Sequence, residues 1–121
     1  MSKVSNFLMI IFLSIIFTHC TNENKAQLLG EWQGLSWVVE GQQSSRNAEA
    51  VQFSFLENGE YSGSWGDKTE KGVFSLDADK LFTTEEGKLK KMVKIEFTGS
   101  DTLVFHMNRM GTEEQLILVR K

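Results

Sequence analysis

The chain of 121 residues has no proline, one cysteine, one tyrosine and two histidines. One thiol cannot form an internal disulfide. Residues 20–121 contain a single histidine, His106, and neither Cys-His chemistry nor transition-metal ligation has the side chains it needs there. A basic excess is also missing. Thirteen Lys and Arg side chains, of which Lys3 lies near the N-terminus, face sixteen Asp and Glu, giving a net charge of −3. An acidic balance argues against nucleic acid and against a polybasic membrane patch. There is no low-complexity tract, internal repeat or second linker. The length after the first twenty residues allows one modest hydrophobic core but not two.

The one long apolar run is Phe7–Phe17, broken only by Ser14 and preceded by Lys3. It is shorter than the ~20 residues a membrane-spanning helix needs, and it suits the apolar region of an export signal. It ends at Thr18-His19-Cys20, so the lone cysteine stands where such a signal is cut. This arrangement resembles the lipobox of bacterial lipoproteins, in which the cysteine is acylated and begins the mature chain. The resemblance implies a lipoprotein-type signal peptide over residues 1–19, and an acylated Cys20 followed by a polar tether over residues 20–27. The protein would be exported and anchored by lipid in the cell envelope, at the outer membrane or cell surface if the cell is Gram-negative. Each buried methylene of an acyl chain contributes about 0.8 kcal/mol, and two chains anchor stably.

From residue 28 onward, glycine and turn-forming residues recur about every eight to twelve positions, the spacing of many short strands. No long segment keeps a helical apolar period. Ala26–Leu29 is expected to form one helical turn, with Leu28 and Leu29 plugging one end of a barrel. Eight strands follow, at about 32–40, 50–57, 60–66, 72–76, 80–84, 93–97, 103–108 and 113–120. Val51, Phe53 and Phe55 alternate with Gln52 and Ser54, and Val93, Ile95 and Phe97 with Lys94 and Glu96, so each strand buries one face. Asn58-Gly59 predicts a type I′ hairpin turn, 67–71 a charged turn, and Gly41–Glu49 the longest polar loop. Gly63, between Tyr61 and Trp65, predicts either room for a neighbouring ring or a bend. Eight meandering strands close best as an all-β, antiparallel up-and-down barrel, which removes exposed sheet edges.

The Leu-x-Gly-x-Trp start, Leu28 to Trp32, together with Phe53-Ser54-Phe55, Asn58-Gly59-Glu60-Tyr61 and Asp101–Phe105, resembles the lipocalin-like domains of the calycin superfamily, in particular those of small bacterial lipoproteins. The resemblance spans residues 28–121. It implies that Gly30, Trp32 and Arg120 form a barrel-closure motif, with the arginine of the last strand stacked on the tryptophan of the first. It also implies a site for a small hydrophobic molecule. Phe53, Phe55, Tyr61, Trp65, Phe74 and Phe105 are the candidate ligand-lining residues, and their bulk predicts a small cavity.

Strict alternation from an inward Trp32 puts Trp37 on the exterior, unless a bulge shifts the register. Trp37 and Arg46, the latter in the long loop, are therefore candidates for contact with a partner. His106 falls on the outward face, and the carboxylates (Glu57, Glu60, Asp77, Asp79, Glu85, Glu86) fall in turns, so no catalytic, metal or cofactor site is assigned. Two functions compete. The first is a membrane-tethered binding module without catalysis, and the second is an envelope protein-interaction module, an inhibitor or assembly subunit, with a filled barrel.

Overall fold

The computed structural model describes residues 20–121. The expected signal peptide, residues 1–19, lies outside the described residues, as does the side chain of Cys20. The chain begins with a nine-residue helix, α1 (Cys20–Leu28). It is longer than the single turn expected at 26–29 and takes in the stretch read as a polar tether. Between Glu23 and Leu28 only Leu28 is fully buried. A helix so polar depends on what holds its end.

Nine strands follow: β1 (Gly30–Val39), β2 (Gln42–Gln43), β3 (Val51–Phe55), β4 (Glu60–Trp65), β5 (Lys68–Asp77), β6 (Lys80–Glu85), β7 (Lys90–Thr98), β8 (Thr102–Arg109) and β9 (Thr112–Arg120). β2 is a two-residue hairpin return on β1. The other eight form the expected antiparallel meander, and β1 pairs with β9 to close it. Period-2 alternation fills the interior: Phe53 and Phe55 of β3, Tyr61 of β4, Phe74 of β5, Leu81 of β6, Ile95 of β7, Leu103 and Phe105 of β8, and Leu116 and Leu118 of β9 are all buried. The rings pack edge to face, Phe53 against Trp65 at 5.4 Å and against Phe105 at 5.3 Å, and Phe55 against Phe74 at 5.1 Å. An eight-stranded barrel is only just wide enough for such a filling. Gly63 pairs with Phe53, and a β-carbon there would lie 2.7 Å from Cε1 of that ring, so the expected room for a ring is used by Phe53.

Three details differ from the sequence reading. Asn58-Gly59 is not a type I′ turn. Only Gly59 has a positive φ, of 90°, and the amide of Gly59 donates to Leu56 O (3.1 Å) while that of Leu56 donates to Glu60 O (2.9 Å). This is a three-residue loop with glycine in the left-handed position, the next commonest hairpin solution. Next, 67–71 is no turn: the chain reverses at Gly66-Asp67, and Lys68–Lys71 extend β5. The third difference is in β1. Gly34 pairs with Leu118 and Ser36 with Ile117, so Leu35 is an extra, bulged residue, 59% exposed. Beyond it the side-chain phase inverts, and Trp37 points inward, 8% exposed, rather than outward as expected. The bulge sits where the carbonyl of Ala48, in the short 3-10 turn Ala48–Ala50, occupies the place of a β-carbon on Gly34.

Candidate functional site

The barrel has two unlike ends. α1 and the β3–β4, β5–β6 and β7–β8 turns stand at one end. The long loop and the β4–β5, β6–β7 and β8–β9 turns stand at the other.

At the first end the three residues of the closure motif are together. Gly30 joins α1 to β1 with φ 116°. Trp32 is fully buried, and its indole donates to Leu28 O at 2.8 Å. Arg120, paired with Trp32 across the closing ladder, lays its guanidinium 4.2 Å from the ring centroid. The same guanidinium donates to Leu29 O (2.8 Å) and Gln27 O (2.5 Å), carbonyls at the end of α1 that have no partner within the helix. Leu28, fully buried, is the plug. Beside the plug, a hollow of about 310 Å³ lies among Asn24, Gln27, Asp79, Ile95 and Phe97.

The other end is built from polar groups that face inward. Glu70 of β5, set inward by the strand extension, takes the Tyr61 hydroxyl on one oxygen and the Trp65 indole on the other, both at 2.8 Å; Lys91 of β7 lies 3.7 Å away. Burial, reinforced by the Glu70 carboxylate, pushes the Tyr61 phenol well above its ordinary range, so Tyr61 stays a donor. Glu114 of β9 is in phase with Leu116 and Leu118 and 3% exposed. Its Oε1 accepts from the Trp37 indole (2.8 Å) and from Arg46 (2.7 Å), with Arg109 at 3.9 Å. Arg46 also lies over the Trp37 ring, 5.3 Å from its centroid, which pins the long loop to the barrel. Trp37 and Trp65 meet at 5.7 Å. The two residues assigned to partner contact are thus joined through Glu114: Trp37 is part of the barrel interior, and Arg46 is committed to a carboxylate.

Above these residues is a cavity of about 530 Å³, walled by Trp37, Trp65, Met107, Glu70 and the cations Lys68, Lys88, Lys91 and Arg109. It continues into a second space of about 230 Å³ reaching Phe53, Leu81 and Phe105. The second space exists because the barrel wall parts. The β7–β8 ladder ends at Lys94↔His106, while β7 stays paired with β6 as far as Lys90 and β8 with β9 as far as Arg109. Lys90–Val93 and Met107–Arg109 therefore face each other without pairing, and a slit opens beside Met92, Val93 and Met107. A larger hollow of about 680 Å³ lies on the outer wall over β3, β4 and β5, among outward-facing Ser54, Ser62 and Ser64. It too is bordered by charges, Glu31, Glu70, Lys71, Glu85, Glu86 and Lys121, but its two rings, Trp32 and Phe53, belong to the buried core; the open end, where Trp37, Trp65 and Met107 wall an inward space beside four cations, is the candidate site.

No family model and no curated protein matches the chain. The fold is shared with a solved structure. The crystal structure of an uncharacterized protein from Bacteroides eggerthii superposes with a TM-score of 0.58 over 77% of this chain and 98% of that one, at 11% identity. At that identity the likeness is one of fold alone.

Of the six residues read as ligand-lining, Phe53, Trp65 and Phe105 border the cavities, and Tyr61 touches them through Glu70. Phe55 packs on Phe74 and on Tyr61 deeper in the core. His106 is on the outward face, as read, with its Nε2 2.9 Å from Glu96 Oε1. Sequence reasoning missed Glu70 and Glu114. Glu114 carries a usable signal, since it alternates inward with Leu116 and Leu118. Glu70 does not, because it was read as part of a turn.

Proposed function

We propose that this chain is a membrane-tethered, lipocalin-like lipoprotein that binds a small hydrophobic molecule at the open end of its barrel and catalyses no reaction. The observation that carries the reading is the asymmetry of the barrel. One end is plugged by Leu28, Trp32 and Arg120, and the other opens into a cavity walled by Trp37 and Trp65, beside which a second space, where β7 parts from β8, reaches Phe53 and Phe105. Concave, ring-walled space with a few convergent polar groups is the usual form of a small-molecule site. The polar groups themselves are held in ion pairs and hydrogen bonds, which suits fixed walls better than acid–base work. The tether rests on Cys20 after the apolar run 7–17, and it puts the protein in the cell envelope.

The test is thermal unfolding of the purified protein against a panel of fatty acids and hydrophobic cofactors, together with native mass spectrometry of the protein as isolated. A bound molecule or a concentration-dependent rise in Tm is expected. A protein that carries nothing and shifts with nothing counts against the reading.

A second reading, an envelope protein-interaction module, is favoured by one observation. Leu89, 88% exposed, and Met110, fully exposed, stand at the tips of the β6–β7 and β8–β9 turns on the open rim. Crosslinking on intact cells should then recover a stoichiometric partner that is lost in the L89S/M110S variant.

A further inference from the structure

We infer that the molecule held at the open end is an organic anion, its acidic head kept at the rim by Lys68 and Arg109 and its apolar body lying in the slit between β7 and β8. This rests on the binding reading above and adds to it the chemical class and the way in.

The charge follows from pairing. Each carboxylate that reaches the mouth already has a cation: Glu114 has Arg46 at 2.7 Å, Glu85 has Lys88 at 3.2 Å, and Glu70 has Lys91 at 3.7 Å. Two cations of the mouth are left over. Lys68 has no carboxylate within ion-pair distance among the described residues, and Arg109 reaches only Glu114 Oε1, at 3.9 Å, an oxygen already occupied by Arg46 and the Trp37 indole. In a chain whose net charge is −3, the walls of this cavity carry four cations, Lys68, Lys88, Lys91 and Arg109, against two carboxylates, Glu70 and Glu85, while Glu40, Glu49, Asp67, Glu86 and Glu113 of the same end are outside its lining. A cationic ligand finds no such opening. Both oxygens of Glu70 accept hydrogen bonds, and the side chain of Glu114 is only 2% exposed. Low-dielectric walls beside the surplus strengthen its pull on an anion.

The position of the apolar body follows from the ladder. Trp37 and Trp65 meet across the axis of the mouth, and Phe53 lies edge-on beneath Trp65, so the vertical path into the barrel is filled by rings. The parting of β7 from β8 beyond Lys94↔His106 is a lateral path. It is walled by Val93 and Met107 and backed by Leu81 and Phe105, and it joins the mouth beside Lys91. The two spaces together suit a drug-sized molecule with one charged end, since sites of about 300–1,000 Å³ hold such ligands.

The experiment compares two probes of one shape, 1-pyrenebutyrate and 1-pyrenebutanol, titrated into the purified full-length protein and read by energy transfer from tryptophan to pyrene. The carboxylate is expected to bind at least about tenfold tighter than the alcohol, a difference of about 1.4 kcal/mol, and to lose most of that advantage as ionic strength rises from about 0.02 to about 0.5 M. In the K68Q/R109Q variant, two exposed substitutions that leave the core untouched, the ratio should fall below about two. Met107→Trp, which fills the slit, should weaken both probes by about tenfold. Equal affinities in the wild type, or a ratio that survives K68Q/R109Q, overturns the anionic head and leaves the binding reading standing. Undiminished binding to Met107→Trp overturns the lateral path. If neither probe binds the wild type, the binding reading fails and this inference fails with it.

Discussion

Arg120→Ala should destabilise the protein more than loss of a surface cation does, because one guanidinium makes three kinds of contact. It lies 4.2 Å from the centroid of the Trp32 ring, which for an exposed guanidinium is worth about 0.5–1 kcal/mol. It donates to Gln27 O and Leu29 O, and Nε approaches Ser100 O at 3.5 Å. Charged hydrogen bonds contribute about 1.5–3 kcal/mol each when sheltered, and Arg120 is solvent-exposed, so roughly half of that is retained. The total is about 3 kcal/mol, a large share of a domain stability of about 5–15 kcal/mol. With a urea m-value of about 1.5 kcal/mol/M, the unfolding midpoint should drop by about 2 M. Equilibrium urea unfolding followed by far-ultraviolet circular dichroism measures this directly. Arg120→Lys keeps the charge over the ring but cannot span two carbonyls at once, so it should recover only about half of the loss. Hydrogen exchange at the Trp32 indole, bonded to Leu28 O, should quicken in both variants. A midpoint shift below about 0.3 M for Arg120→Ala, or a lysine variant as stable as the wild type, would refute the argument that the guanidinium fork ties α1 to the barrel.

Three further outcomes follow from other parts of the molecule. Gly63→Ala drives a methyl into the Phe53 ring and should cost about 1–3 kcal/mol; urea unfolding of the G63A/F53L double variant should recover part of that loss, and strict additivity would mean the two sites do not meet. Glu114→Ala leaves the Trp37 indole and Arg46 without their acceptor and should cost about 2–4 kcal/mol, with a change in tryptophan emission; Glu114→Gln, which keeps an acceptor oxygen, should cost clearly less. Cys20→Ser should abolish incorporation of a fatty-acid analogue and release the protein from membranes, and labelling that persists in the variant rules out acylation at that cysteine.

Much of this fold is written in period-2 patterns that a reader can see. Val51-Phe53-Phe55 and Val93-Ile95-Phe97 announce their buried faces, and the approach of the last strand to the first follows once the meander must close. The parts that were not legible all concern polar groups drawn inward. Glu70 lies in a run, Lys68-Thr69-Glu70-Lys71, whose local composition is that of a turn. Only the tertiary position of Tyr61 and Trp65, which give its carboxylate two donors, makes it a strand residue facing the core. Propensity yields there to packing. Asn58-Gly59 misled for a different reason. The dipeptide tolerates the type I′ turn, but it serves equally well in a three-residue loop that needs a positive φ at the glycine alone, and sequence does not separate the two.

The open end depends on one inserted residue. If β1 ran without the Leu35 bulge, residues 33, 35, 37 and 39 would share the outer face, and Trp37 would stand in solvent. Val38, not Val39, would then project inward beside Glu114, and that buried carboxylate would lose its indole donor. Arg46 alone would remain close to it, and a lost hydrogen bond to so deeply placed a carboxylate costs about 1–3 kcal/mol, so the bulge and Glu114 support each other. The bulge in turn needs Gly34, whose missing side chain leaves room for the Ala48 carbonyl, and Ala48 belongs to the same loop that brings in Arg46. The long loop, the bulge, Trp37 and the buried carboxylate are therefore one construction. The closed end makes the fold with a stacked Trp32–Arg120 pair, and this second construction, with Trp37 five residues further along the same strand, makes the candidate site.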